Sequence, residues 1–179
     1  MFHAVLFCCK YTMRRGDSFA IMNGDWVAIG LGSNLGNKAE ELESAFHFLR
    51  GTLSNCRWSK VYESDPWGFS SENSFWNMVV IGRCSQEPEV LLTRLLAYED
   101  KQGRLRSTDG YSDRTIDLDL IFFGDRRMGS KILHLPHPHW KLRPFVVVPL
   151  LELQAEKIWP EVASVRIGDD RLKEVLKFE

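Results

Sequence analysis

The stretch DRTIDLDLIFFG, residues 113–124, sets two aspartates one residue apart inside an apolar, β-branched run. Side chains of a strand alternate between its faces, so Asp117 and Asp119 share one face while Ile116, Leu118 and Leu120 take the other. Their Cα atoms should lie roughly 6.5–7 Å apart, near enough for both carboxylates to converge on one centre. Two neighbouring anions on a sheet repel unless cations offset them. One reading is a solvated acidic face on an edge strand. The apolar flanks, and the continuation into LIFF, speak against it. The other reading is a site for a hard cation such as Mg²⁺, which takes oxygen ligands and typically binds one or two carboxylates together with substrate phosphates.

The residues just upstream, GRLRSTDGYSDRTIDLD, bring Arg104, Arg106 and Arg114 close in sequence to the acid pair. Arginines beside acids are often no more than surface salt bridges. Paired carboxylates with several guanidiniums are also what a polyphosphate and its metal ions require, because Arg meets phosphate oxygens with a planar fork and keeps its charge. Glu99 falls on the Leu91/Leu95 face of a predicted helix, where an acid is costly unless paired; the alternative is an exposed helix end. His134, His137 and His139 lie within six residues. With neither a cysteine nor a helical H-x-x-x-H beside them, they fit a phosphate donor better than zinc.

Working outward, DWVAIGL (25–31) reads as a buried strand. The following GLGSNLG (30–36) departs from the dinucleotide pattern, since Leu35 holds the third glycine position, and lacks the Lys-Ser/Thr of a phosphate loop. A tight turn with close backbone approach is the plainer reading. Asn37 and Glu40 have capping-box spacing. Leu42, Ala45, Phe46 and Leu49 recur at helical spacing, with Gly51 as the stop. CRWSKVYE (56–63) alternates as a half-exposed strand, SDPWGFSSENS (64–74) is a loop, and FWNMVVIGRC (75–84) is another strand. Pro88 opens a second helix, faced by Leu91, Leu92, Leu95 and Leu96 and ended by Gly103. The acid-bearing strand follows at roughly 115–123. The order β-α-β-β-α-β is the split βαβ, ferredoxin-like arrangement, with two helices over one face of a mostly antiparallel sheet. Beyond Gly124, KILHL (131–135) is a candidate strand and PHPHWKLRP (136–144) a loop. FVVVPLLEL is buried but of open type, and DDRLKEVLKF reads as a terminal helix.

The chain has 179 residues, a net charge of −1 and 44% hydrophobic content. This fits one domain with a real core and excludes a disordered or fibrous chain. It gives no electrostatic case for sequence-independent nucleic-acid binding. Cys8, Cys9, Cys56 and Cys84 show no C-x-x-C spacing, so thiols in a reducing cytoplasm are the reading. FHAVLFCC near the start is too short to span a bilayer, and its basic residues follow it rather than precede it, the wrong order for a secretory signal. Residues 1–24 are read as a disordered tail, consistent with a start codon placed too early and with Met13 or Met22 as later starts. Residues 25–179 are the folded domain.

Four stretches now carry a resemblance to the 6-hydroxymethyl-7,8-dihydropterin pyrophosphokinase (HPPK) family: AIGLGSNLGNKAEEL, YESDPWGFSSENSFWNMVV, YEDKQGRLRSTDGYSDRTIDLDLIFFG and LPHPHWKLRPFVVVPLLEL. The resemblance covers nearly all of residues 25–175. It implies an α+β fold, a ferredoxin-like βαββαβ core with an additional C-terminal strand and helices, making an α/β/α sandwich. It also implies transfer of diphosphate from ATP to the pterin hydroxymethyl group, giving AMP, in folate biosynthesis.

By the same resemblance, Asp117 and Asp119 would hold two Mg²⁺ ions bridging the triphosphate, with Arg104 and Arg114 nearest the transferred group. Glu99, Arg106, Arg114, His137 and Arg143 would serve ATP. The pterin slot would be formed by Phe75 and Phe145 on the ring faces and Asn77 on its polar edge, helped by Gly32, Ser64, Asp65, Trp67 and Tyr111. The implied partners are these two small molecules, with no nucleic acid or membrane, and a monomer is favoured. One departure is marked: the family often has Arg-Trp-Gly-Pro-Arg before the acid pair, whereas this chain has Gly110-Tyr111-Ser112-Asp113-Arg114. The competing readings are a non-catalytic ferredoxin-like module that binds a metal, nucleotide or protein, and a generic ATP kinase releasing ADP.

Overall fold

The acid-bearing run is a strand at the edge of an antiparallel sheet. The computed structural model describes residues 24–104, 112–167 and 172–178; Arg106, Tyr111 and residues 1–23 of the expected tail lie outside these. In chain order the elements are β1 (Asp25–Ser33), α1 (Lys38–Thr52), β2 (Ser54–Trp58), β3 (Val61–Ser64), β4 (Phe75–Cys84), α2 (Pro88–Lys101) and β5 (Asp117–Phe123). A small hairpin, β6 (Met128–Gly129) with β7 (His134–Leu135), leads to α3 (Pro144–Glu152) and finally to β8 (Lys173–Leu176). The main sheet runs β5-β1-β4-β3-β8, with β2 also paired to β4. Every pairing in it is antiparallel. This is a mixed α/β fold.

Alternation along β1 sorts the core into two layers. Val27, Ile29 and Leu31 pack with Leu42, Ala45, Phe46 and Leu49 of α1 and Leu91 and Leu95 of α2. Ala28 faces the other way, with Val79, Ile81 and Ile121, against Val146, Val147 and Leu150 of α3 and against Trp140 and Trp159. A sheet covered on both faces needs strands apolar on both sides, which explains the unbroken runs in β1 and β4. On β5, Leu118 and Leu120 belong to the α1/α2 layer and Ile121 to the α3 layer. Asp117 and Asp119 therefore open toward α3, where Arg143 and Phe145 stand.

Four local expectations are corrected. The run 56–63 is two strands, broken where Ser59, fully buried, donates its N–H to Val79 O (3.0 Å) and accepts the Val79 N–H on its Oγ (3.0 Å). Asn37 stands at the start of α1, but its side chain makes no capping hydrogen bond; only its carbonyl is used, by Glu41 N–H at 3.0 Å. Gly51 does not stop α1, which runs on to Thr52 and ends as buried Leu53 turns extended into β2.

The fourth concerns the C-terminal segment, which is strand rather than helix. Val61, Tyr62 and Glu63 of β3 present a free ladder edge, and Leu176, Glu174 and Lys173 fill it. Unpaired edge groups are a stronger pull than the modest helical pattern of a short charged run. The Phe178 ring then stacks on Phe46 at 6.2 Å, and its carbonyl accepts the Trp58 indole N–H at 3.1 Å. The open case, FVVVPLLEL, is helical: Pro144 suits its first turn, and the apolar run fills the layer beneath the sheet.

Candidate active site

Two glycines of β1 make the floor of the site. Gly32 lies between Asn77 on β4 and Asp117 on β5, and Gly30 between Val79 and Asp119. A Cβ on Gly32 would stand 3.0 Å from Asn77 Oδ1, 3.6 Å from the Phe75 ring and 3.9 Å from Asp117 Cβ. A side chain there would fill the trough that these residues enclose. The glycines expected in a turn are thus strand residues, and of the three in this stretch only Gly36 has a positive φ, +67°.

Above this floor is a cavity of about 510 Å³ including its open mouth, lined by Gly30, Gly32, Ser64, Asp65, Trp67, Phe75, Asn77, Arg114, Asp117, Asp119, Arg143 and Phe145. Asn77 is buried and donates its amide to Ser64 Oγ at 3.0 Å. Every expected ring-site residue within the described part of the chain therefore lines one cavity. A second cavity, about 740 Å³ with its mouth, meets the first at Asp117 and Asp119. Glu99, Arg104, His134, His137 and the exposed Ile132 line it. The acid pair stands where an aromatic cavity joins a second one that holds Glu99, Arg104 and two histidines.

Each acid is held by arginine. Arg104 Nη1 pairs with Asp117 Oδ1, and Arg114 Nε lies 3.3 Å from Asp117 Oδ2. Arg143 Nη1 donates to Asp119 Oδ2 at 2.6 Å. The Arg143 guanidinium is buried, lies 4.6 Å from the Trp67 ring and 5.9 Å from the Phe145 ring, and its Nε–H has no acceptor among the described residues. Arg114 lies 5.3 Å over the Phe75 ring. Burial, and then the neighbouring charge of Asp119, push the Asp117 carboxyl above its usual range despite these arginines. Such a pair favours the arrival of further positive charge.

Secondary structure places the arginines. Gly103, with φ +78°, turns the chain at the end of α2. Arg104 then sends its N–H back to Glu99 O (3.1 Å) and its guanidinium to Glu99 Oε1 (2.5 Å). Glu99 is 1% exposed and also accepts the Leu118 N–H at 2.6 Å, so the acid on an apolar helix face is buried and paired. Arg143 caps α3, its carbonyl accepting the N–H groups of Val146 (2.9 Å) and Val147 (3.0 Å) while its side chain reaches Asp119.

His137 is anchored by its own N–H to Ile121 O at 2.9 Å. Its Nδ1 accepts the His139 N–H at 3.2 Å, which leaves Nε2 as the protonated nitrogen and a donor. Burial, and then Arg143 and His139, lower its pKa to about 4, so it is neutral at pH 7. Among the described residues no three of His, Cys, Asp and Glu gather as a metal-binding set. A cation at Asp117 and Asp119 would need oxygen ligands from a substrate.

Sequence reasoning missed Asn34. It is 4% exposed, and its backbone N–H and side-chain Oδ1 pair with Arg114 O (3.1 Å) and Arg114 N–H (2.8 Å). A polar residue directly after a buried strand was the available signal. Cys56 and Cys84 are both free thiols, and among the described residues no helix is long and apolar enough to cross a membrane.

Comparison with known proteins agrees with this geometry. The sequence model of the 7,8-dihydro-6-hydroxymethylpterin-pyrophosphokinase (HPPK) family matches residues 28–155. The 2-amino-4-hydroxy-6-hydroxymethyldihydropteridine pyrophosphokinase of Aquifex aeolicus is 35% identical over 75% of this chain and 83% of its own length. The Synechocystis enzyme of the same name is 39% identical over 75% of this chain and 69% of its own. Among solved structures, wild-type HPPK-DHPS of Plasmodium falciparum superposes with a TM-score of 0.60 at 12% identity, over 84% of this chain and 48% of that longer one, a likeness of fold. The chain belongs to the HPPK family. Its relatives are pyrophosphokinases of folate synthesis, which favours the enzyme over the non-catalytic module.

Proposed function

We propose that this site transfers a diphosphate from ATP to 6-hydroxymethyl-7,8-dihydropterin, with AMP as the second product. One observation carries the reading: Asp117 and Asp119, each paired with arginine, stand at the junction of an aromatic cavity and a second cavity that holds Arg104 and His137. The flat heterocycle takes the first cavity, between Phe75 and Phe145, with its polar edge at Asn77 and its rim at Ser64, Asp65 and Trp67. Apolar walls with a few placed polar groups suit such a ligand. ATP takes the second cavity, its base near Ile132 and its phosphates toward the acids.

The acid pair fits Mg²⁺, since both side chains are hard oxygen donors on one face and the remaining ligands would come from phosphate. We assign two ions to it; when bound, they neutralise phosphate charge and polarise the attacking and leaving oxygens. The chain's own residues do the rest. Arg104, Arg114 and Arg143 leave or share their carboxylate partners to fork the phosphate oxygens, and the Nε–H of Arg143 is a ready donor. His137 donates through Nε2 as a neutral group. Asp117 and Asp119 offer their carboxylate oxygens to the cations. Gly30 and Gly32 let the ring sit on bare backbone, so its hydroxymethyl end reaches the acids. Positioning and charge stabilisation supply most of the rate. The strand order supports the ferredoxin-like βαββαβ description of the core, with α3 and β8 as its C-terminal additions. A monomer in the cytoplasm is the simplest setting.

The test is direct. With ATP, Mg²⁺ and hydroxymethyl-dihydropterin, AMP should form, and omission of any one should stop it. ADP as the product would mean an ordinary kinase, and absence of AMP with all three present would refute the proposal.

A further inference from the structure

Asp113 stands where the family often has proline, and the structure gives it work. Its Oδ1 accepts the amide N–H of Asn34 at 2.6 Å and its Oδ2 accepts the amide N–H of Asn73 at 2.7 Å. A further hydrogen bond from Ser71, then those of Asn73 and Asn34, hold its carboxyl below the usual carboxylate range. The donors come from two separate places in the chain: Asn34 follows β1, while Ser71 and Asn73 belong to the loop between β3 and β4. That loop carries Asp65 and Trp67 to the rim of the aromatic cavity and delivers Phe75 to its wall. The residue after Asp113 is Arg114, whose backbone is paired on both sides by Asn34 and whose guanidinium lies over Phe75 and beside Asp117.

From this we infer that Asp113, with Asn34 and Asn73, is a positioning latch that ties the ring-site loop to the backbone of Arg114, so that seating the pterin and placing the arginine are one event. Only a carboxylate serves all the donors. An asparagine at 113 would set one NH₂ against another, and a proline would offer no acceptor.

The inference rests on the proposed reaction, and the experiment separates the two. Pterin binding in the presence of a non-hydrolysable ATP analogue and Mg²⁺ is measured by calorimetry, and AMP formation by steady-state kinetics. Both use the full chain, Asp113→Asn, Asn73→Ala and the double variant. Each single change should weaken pterin binding about fivefold, and the double variant should be no weaker than either single one, because both break the same link. The ATP KM should stay within about twofold, and kcat should fall alongside pterin affinity. Additive losses, or a shift in melting temperature with unchanged binding and kcat, would overturn the latch while leaving the reaction standing. Pterin binding by the unmodified chain without AMP formation would overturn the reaction but not the latch. Asp113→Asn keeps the side-chain shape, so it reports even if a smaller residue unfolds the loop.

Discussion

Replacing Glu99 by alanine should cost the protein stability and nucleotide affinity together. Glu99 is almost fully buried, and its Oε1 accepts both the Leu118 N–H (2.6 Å) and Arg104 Nη1 (2.5 Å). Alanine leaves the Leu118 N–H unsatisfied, at about 1–3 kcal/mol. Arg104, 16% exposed, keeps Asp117 as partner, so its loss falls below the roughly 3–5 kcal/mol of a fully orphaned buried charge. With the small cavity left behind, the sum is about 3–5 kcal/mol, or on the order of 10 °C in Tm for a chain of this size. Glutamine keeps an acceptor oxygen for both donors and should cost only about 1–2 kcal/mol. Urea unfolding followed by tryptophan fluorescence measures both, since the chain has six tryptophans. Because Glu99 also aims Arg104, the ATP KM of Glu99→Ala should rise about tenfold under conditions where it is folded, with that of Glu99→Gln between it and the parent. If Glu99→Ala lies within about 1 kcal/mol of the parent, the buried bonds do not hold the site as described.

Further outcomes follow from the same geometry. Gly32→Ala places a methyl 3.0 Å from Asn77 Oδ1; it should weaken pterin binding about tenfold in calorimetry while moving the urea midpoint little, since Asn77 yields by a few tenths of an ångström. Asp117→Asn and Asp119→Asn should each lower AMP formation by roughly a thousandfold or more, and raising Mg²⁺ should not restore it. His137 is neutral in the fold with its pKa lowered to about 4 against an ordinary 6.5. Above pH 6.5 it is uncharged in both states and contributes no pH dependence; as pH falls from 6.5 toward 4 the unfolded chain takes up the proton first and stability is lost. The loss is below about 3 kcal/mol because part of the ring meets solvent, and His137→Gln should flatten that limb of a Tm-against-pH curve.

The reach of the sequence differs from element to element. Strand β5 and the shared face of its two acids were legible because a period of two in an apolar run admits few alternatives. Helix α2, with Pro88 in its first turn and Gly103 after it, was equally plain. Strand β8 was not: a short charged segment with a weak helical pattern became a strand because β3 had an open edge, which no local window contains. The role of Glu99 was half legible. Its place on the apolar face of α2 required a partner, but its contact with the Leu118 amide on β5 needed the packing of helix on sheet. Asn34 gave no local signal beyond its polarity, since its partners Asp113, Asn73 and Arg114 lie about 40 and 80 residues away.

By itself, then, the sequence determined the chemistry on offer: two carboxylates on one strand face, a set of arginines, aromatic residues and the motifs of a family. Covalent neighbours and strand period fix these without reference to the rest of the chain. Only the tertiary structure decided that the carboxylates stand where two cavities meet, that bare glycines of β1 form the floor of the aromatic one, and that Asp113 reaches a loop 40 residues distant in sequence. Those are consequences of sheet register and layer packing, set by the burial of two apolar layers at once, which no single stretch of sequence encodes.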